Sequence, residues 1–405
     1  MQVIRVDPQL ARSMRVAAIA TALAFCGPSL VPPSSLRLMT LRRASVPSIV
    51  MQQPVESQKK RKPSAAAAAA AAAQPPPPEA AVASPDSDWG GLPAAISASK
   101  AAALNTQILK CEDAEAILTL TEKNAKQLRS VNAATALHRI ASYLKKTRPQ
   151  RDRVLRDQRF IALVDIAADC MEYSNPRSVS DMMWAFATLQ HWPPTMLKPL
   201  LTRMAAHLEA GAFEAQHLSL ITWSFAILEL KPTKLLERIE ECSISQLKDL
   251  SQQNCANLLW GFAKLNYKPE KLLPKITSKM SDAPFLSRMK PVEISDAAFA
   301  IAVIGSKDGQ GGLMDQLAAR ATPDDLMHSF SSRQLVTLTW AFARMATRPA
   351  QLDLWVARIR EEHERVPMLA QDQKNIKAAL GRFEVDVEWL NPPTPEEDEV
   401  ASSAA

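Results

Sequence analysis

The sequence predicts an all-α protein, an α-solenoid of about six antiparallel helix-pair repeats of roughly forty residues with a disordered N-terminal leader and C-terminal tail. Three observations predict it. An apolar core built around an aromatic residue recurs at Trp184, Trp223, Trp260, Phe299 and Trp340, at intervals of 39, 37, 39 and 41 residues. A proline follows nine residues after the aromatic in four copies, at Pro193, Pro232, Pro269 and Pro349, where it ends one helix or opens the next. The composition has only 10 glycines and 5% aromatics against 47% hydrophobic residues, which leans toward helix.

Residues 1–64 read as a bipartite organelle-targeting presequence. They carry ten Lys and Arg against two acids, a net of +8 that exceeds the whole chain's +6, the remaining residues being net −2. Arg12 and Arg15 precede VAAIATALAFCG (Val16 to Gly27), which is too short to span a bilayer and suits the h-region of a signal peptide. The Arg/Ser-rich, acid-poor SSLRLMTLRRASVPS then resembles a transit segment. Ala22 and Ala24 before Phe25 resemble the cleavage junction of plastid presequences in algae with secondary plastids, which implies a plastid destination, with the mitochondrion as the alternative. Residues 65–100, with nine alanines and QPPPPE, form a low-complexity linker that has no basis for a core.

Residues 101–390 hold the repeats. LLWGFAKLNYKP and its relatives supply a first helix in each unit, and TKLLERIEEC or EKLLPKITSKM, with apolar residues at helical spacing, a second. VNAATALHRIASYLKK is a further copy, with His138 in the aromatic place 46 residues before Trp184; the excess fits the basic insertion TRPQRDRVLRD. In the Phe299 copy GSKDGQGG replaces the proline turn. It lacks the closing Gly-Lys-Ser/Thr of a phosphate loop and reads as a flexible turn. QDQKNIKAALGRFEV, from Gln371, is a capping helix of the kind that closes a solenoid's last core. Residues 391–405 are an acidic tail.

Counting from the aromatic as zero, positions −5, −2, −1, +2, +3 and +5 are almost all apolar and form a packing face. Positions −6, −3 and +4 form a neighbouring stripe whose residues differ between copies, and this stripe is where binding is expected. The residues of it expected to bind are Asn132 and Thr135; Ser178, Asp181 and Thr188; His217; Asn254, Asn257 and Lys264; and Gln334, Thr337 and Arg344. Position +1 is small in five copies (Ala185, Ser224, Gly261, Ala300, Ala341), as a ligand approaching the helix closely requires, with Arg139 the exception. The aromatics themselves are expected to pack one repeat on the next.

LLWGFAKLNYKPEKLL and MMWAFATLQHWPP resemble the octotricopeptide repeats of algal organelle RNA-binding proteins. They also resemble the helical repeats of the RAP-domain proteins and of those related to Fas-activated serine/threonine kinase. SVNAATALHRIASYLKK resembles the leading helix of the same proteins. The likeness covers roughly 105–350 and implies binding of single-stranded RNA by first helices that line a concave surface, in RNA stability, processing or translation. Other organelle RNA-metabolism proteins are further expected partners. A complete RAP domain is not evident in the 65 residues after Trp340.

Helical-repeat readers assign about one base to each repeat, so six repeats would cover on the order of six nucleotides. The phosphate-contacting charge is expected from Lys145, Lys146, Arg148, Arg151, Arg153, Arg156 and Arg159. The body, 89–395, has 38 basic and 33 acidic residues, and so mild a surplus also suits a protein-binding scaffold of the same fold. Catalysis is not expected: HExxH, GxSxG and Walker motifs are missing. The five cysteines form no CxxC pair and read as packed, reduced thiols. Neither metal nor cofactor is expected, nor a membrane span in the mature form.

Overall fold

A computed structural model describes residues 98–390 apart from 306. The leader, nearly all of the linker and the tail lie outside the described residues. Among those described, every regular element is a helix and there is no strand. Helices α1 (Ala98–Lys110) and α2 (Ala114–Lys123) form a first hairpin. Next come α3 (Ser130–Leu144), the short α4 (Arg148–Val154) and α5 (Gln158–Asp169), then the pairs α6 (Pro176–Leu189) with α7 (Pro194–Glu209) and α8 (Ala215–Ile227) with α9 (Thr233–Ser245). Helix α10 (Gln252–Lys264) is followed by α11 (Leu273–Met280) and α12 (Ala283–Leu286), and α13 (Pro291–Ile304) by α14 (Lys307–Arg320) and α15 (Asp324–Met327). The chain closes with α16 (Ser332–Arg344), α17 (Leu352–Arg365) and α18 (Ala370–Gly381).

First helices stack on first helices in the order α1, α3, α6, α8, α10, α13, α16, α18. Second helices α2, α5, α7 and α9 form a parallel row beside them. The first helices touch along much of their length and the second helices over shorter stretches, so the first-helix layer lies on the inside of the curve. The α1–α2 hairpin adds a unit ahead of the His138 copy. At the other end the helix expected from Gln371 is α18, tied to α16 by the Arg333–Asp372 ion pair at 3.0 Å.

The core between the layers is set by the residue two places after the aromatic. Phe186, Phe225, Phe262, Ile301 and Phe342 are all buried there, and Phe342 meets Trp355 of α17 edge to face at 5.6 Å. Four first helices end in one way. The residue six places after the aromatic takes a left-handed conformation (Gln190 φ 51°, Glu229 φ 57°, Asn266 φ 49°, Ala346 φ 55°). The next backbone N–H then donates to the carbonyl five residues back, as in His191 to Phe186 at 3.0 Å and Tyr267 to Phe262 at 2.9 Å. The prolines come after this reversal: Pro193 and Pro232 are the residues that precede α7 and α9. They open the second helix, and the left-handed residue ends the first.

Two local expectations are corrected. GSKDGQGG does not form a turn: the chain is already helical from Lys307, with Gly305 closing α13. The small +1 residues do not leave room for a ligand. Ala185, Ser224, Gly261, Ala300 and Ala341 are buried, and a Cβ on Gly261 would meet Thr222 Cγ2 of α8 at 2.8 Å. The neighbouring helix fills that space, because only small residues let two helices of the inner layer come so close. Arg139 departs from the rule because its guanidinium reaches the end of α1, where it donates to the carbonyls of Cys111 (3.0 Å) and Leu109 (3.3 Å).

Candidate RNA-binding surface

The stripe divides into two sets. Every −6 residue falls at the third position of its helix, where backbone N–H groups lack partners within the helix. Five of them accept a hydrogen bond from the N–H of the capping residue: Asn132 (3.2 Å), His217 (3.2 Å), Asn254 (3.1 Å), Glu293 (2.8 Å) and Gln334 (2.9 Å). In α6 the direction reverses, and the Ser178 N–H donates to Asn175 Oδ1 at 2.8 Å. Two of these side chains also tie repeats together, since Asn132 Nδ2 donates to Ala101 O at 2.9 Å and Asn254 Nδ2 to Ser219 Oγ at 3.0 Å. The capping signature was present in the sequence: Ser251 with Asn254, and Ser331 with Gln334, stand at box spacing.

Positions −3, 0 and +4, with the −7 residues one turn earlier, line the inner face, and most of the −3 and +4 residues keep part of their surface open, Asp296 and Thr337 excepted. Asn257 is half-buried and makes no hydrogen bond with the described residues. The Thr188 hydroxyl is buried without a partner. Asp181 lies 3.8 Å from the exposed Arg177 of its own helix, and burial raises its pKa. Thr135 and Thr337 turn their hydroxyls onto the carbonyls of Val131 (2.8 Å) and Arg333 (2.9 Å) one turn back, which leaves oxygen lone pairs but no free donor.

The aromatic column is open at its ends and closed in the middle. Trp223, Trp260 and Phe299 are buried, whereas His138, Trp184 and Trp340 are half-buried. His138 lies on Trp184 with ring centres 4.4 Å apart, and Phe299 stacks on Trp340 at 5.5 Å. Burial lowers the pKa of His138, as it does that of His217, so both rings favour the neutral form. One turn after two of the tryptophans stands a cation: Lys264 Nζ is 5.8 Å from the Trp260 ring centre, and the Arg344 guanidinium 5.6 Å from that of Trp340. Burial lowers the pKa of Lys264, and Arg344 also donates to Ala302 O at 2.9 Å.

The basic cluster is only partly available. Arg159 is held by Asp157 and by Glu115 of α2, each at 2.7 Å, and Arg151 lies 3.6 Å from Asp152. Lys145, Lys146, Arg148, Arg153 and Arg156 form no ion pair with the described residues. These five cations gather on α4 and its flanks, in the connection from α3 to α5. Sequence reasoning missed Glu240, a buried acid of α9 that accepts from the N–H groups of Lys271 (2.7 Å) and Leu272 (3.0 Å) and from the Tyr267 hydroxyl (2.8 Å). Its role is to cap the start of the next second helix, and no local pattern announces it. Among the described residues no group of three or more His, Cys, Asp or Glu is placed to hold a metal ion.

Stacked helix pairs with a polar, aromatic and cationic inner face define a helical-repeat protein. The chain belongs to the family of the RNA-editing substrate-binding complex 6 protein, whose family model matches residues 152–388, more than half of the sequence. The match begins within α4 and takes in every repeat from α5 onward. It supports the resemblance in its coarser form, a helical repeat protein associated with RNA, and is not specific to the octotricopeptide, RAP-domain or Fas-activated serine/threonine kinase-related families.

Proposed function

We propose that this protein binds single-stranded RNA along the inner face of its first helices, as a non-catalytic subunit of an RNA-editing or RNA-processing assembly. The observation that carries the reading is the register of that face. On α3, α6, α10 and α16 of a chain in this family, a half-open or cation-covered aromatic, a polar −3 residue and a polar or charged +4 residue recur at one level, while α8 and α13 depart from the pattern. Rings offer stacking surface to unpaired bases, the −3 side chains offer hydrogen bonds to base edges, and the cluster of Lys145, Lys146, Arg148, Arg153 and Arg156 supplies phosphate contacts. An organelle, the plastid in first place and the mitochondrion as alternative, fits the Arg-rich leader.

Fluorescence anisotropy with labelled single-stranded and duplex RNA tests this on the full chain. Tighter binding to single strands is expected, with an affinity that falls as salt rises. Replacing Lys146, Arg148, Arg153 and Arg156 by Gln should weaken all RNAs alike and flatten the salt dependence. Equal binding to duplex, or none at all, would leave the alternative, a scaffold for proteins. The apolar Leu220, Ile227 and Val303 of the inner face are the observation that favours it.

A further inference from the structure

The inner face of α13 is almost wholly apolar. Val292, Phe299 and Val303 occupy the −7, 0 and +4 places, and Asp296 stands among them at −3 with 6% of its surface exposed. None of the described residues donates a hydrogen bond to its carboxyl or forms an ion pair with it. Its carboxyl oxygens are not among the fully buried atoms without a partner, so what little of the residue is exposed includes the polar end, set in otherwise apolar surroundings where an alanine or valine would cost less. Asn132, Asn254, Glu293 and Thr337, elsewhere in the inner layer, all have partners, while the Thr188 hydroxyl, like Asp296, has none.

Two features bear on what partner Asp296 lacks. It lies at the level of Asn257 on α10 and Thr337 on α16, in the row that faces the inside of the curve. On the next helix Trp340 is half-buried, stacked on Phe299 at 5.5 Å and with Arg344 5.6 Å from its ring centre, so an aromatic and cationic shelf stands beside the acid. Burial, and after it the charge of Glu293 one turn earlier, holds the carboxyl well above the usual carboxylate range. Burial favours the protonated form, in which a carboxyl offers one O–H donor and one carbonyl acceptor, a pair that suits the edge of a nucleobase and not an anionic phosphate, which offers acceptors alone.

We infer that Asp296 is a base-reading residue, its O–H donating to an acceptor on one nucleobase edge while its carbonyl oxygen accepts from the adjacent N–H. The inference rests on the proposed binding of RNA to this face. Asn has the same shape and also carries a donor beside an acceptor, whereas Leu has neither. Asn is isosteric with Asp and uncharged, and Leu is apolar and of similar length, so both variants are expected to fold, which thermal melts of the full chain would verify.

The test pairs changes in protein and RNA. An RNA obtained by selection on the wild-type chain is prepared with one abasic position at a time, and each version is titrated against wild type, Asp296→Leu and Asp296→Asn. At a single position the abasic change should weaken wild type on the order of tenfold, as one good base contact does, and leave Asp296→Leu unaffected. Asp296→Asn should keep the wild-type sensitivity. The inference is overturned if no position loses its effect in Asp296→Leu, or if Asp296→Asn behaves like Asp296→Leu. If no RNA is selected at all, RNA binding itself fails, and that outcome is distinct from RNA bound without coupling to Asp296.

Discussion

The Cβ position of Gly261 lies 2.8 Å from Cγ2 of Thr222 and 2.9 Å from its carbonyl oxygen, so α10 rests on α8 with no room for a methyl group. Gly in the body of a helix is ordinarily a loss, about 1 kcal/mol against Ala. Here Gly261→Ala should instead destabilise, by about 1–3 kcal/mol, because the added carbon meets backbone that cannot move aside alone. Chemical denaturation measures the sign directly. A gain in stability would mean that the two helices are not in this contact.

The left-handed residue at the end of α8 leads to a change in the other direction. Glu229 has φ 57°, where a side chain costs about 1–2 kcal/mol and glycine does not. It is exposed, so little packing is lost with its side chain. Glu229→Gly should raise the melting temperature, and a clear drop would show that the helix continues past this point.

How much of this was legible in the sequence follows from where each signal lives. The aromatic register and the following prolines place the helices, because periodic burial writes itself into every copy. The ends of the first helices were not legible, since the usual sign is glycine and these four positions carry Gln190, Glu229, Asn266 and Ala346. The site was half legible. The −3 and +4 residues of the stripe share one side of the helix, but the −6 residues are drawn to the backbone N–H groups of their own first turn, a local demand that a helical wheel ignores. The small +1 residues were misread for a related reason. Close approach is real, but the partner is the next helix of the chain, and sequence alone does not distinguish a neighbouring backbone from a ligand.

That division separates Asn254 from Asn257. Asn254→Ala removes a cap and the bond to Ser219 and should cost about 1–2 kcal/mol of stability. Asn257→Ala removes no bond within the described residues and should leave stability unchanged while weakening the preferred RNA. Denaturation curves and anisotropy on both variants decide it. The reverse pattern would exchange the roles of the two asparagines.

Stability should depend on pH through His138. Its neutral ring is packed on Trp184, and burial lowers its pKa below the unfolded value of about 6.5. As pH falls through that value the unfolded chain takes up a proton that the folded ring refuses. The contribution is therefore full above the unfolded value and is lost below it. His217 shifts in the same direction, while the raised Asp181 acts in the more acidic carboxylate range. Melting temperatures taken from about pH 7.5 to about pH 5.5 should fall, and His138→Phe should flatten the slope. An unchanged slope in that variant would remove His138 as a source.

Ultraviolet crosslinking of bound RNA to the full-length chain, with the attached peptides read by mass spectrometry, is the most direct test of the inner face as the RNA-binding surface. Crosslinks are expected on first helices, at peptides that carry Trp184, Asn257 with Lys264, and Trp340 with Arg344, and on the basic cluster that includes Arg153 and Arg156. Crosslinks confined to the second helices α7, α9 and α17, with the first helices unmarked, would place RNA on the outer row and contradict binding along the inner face.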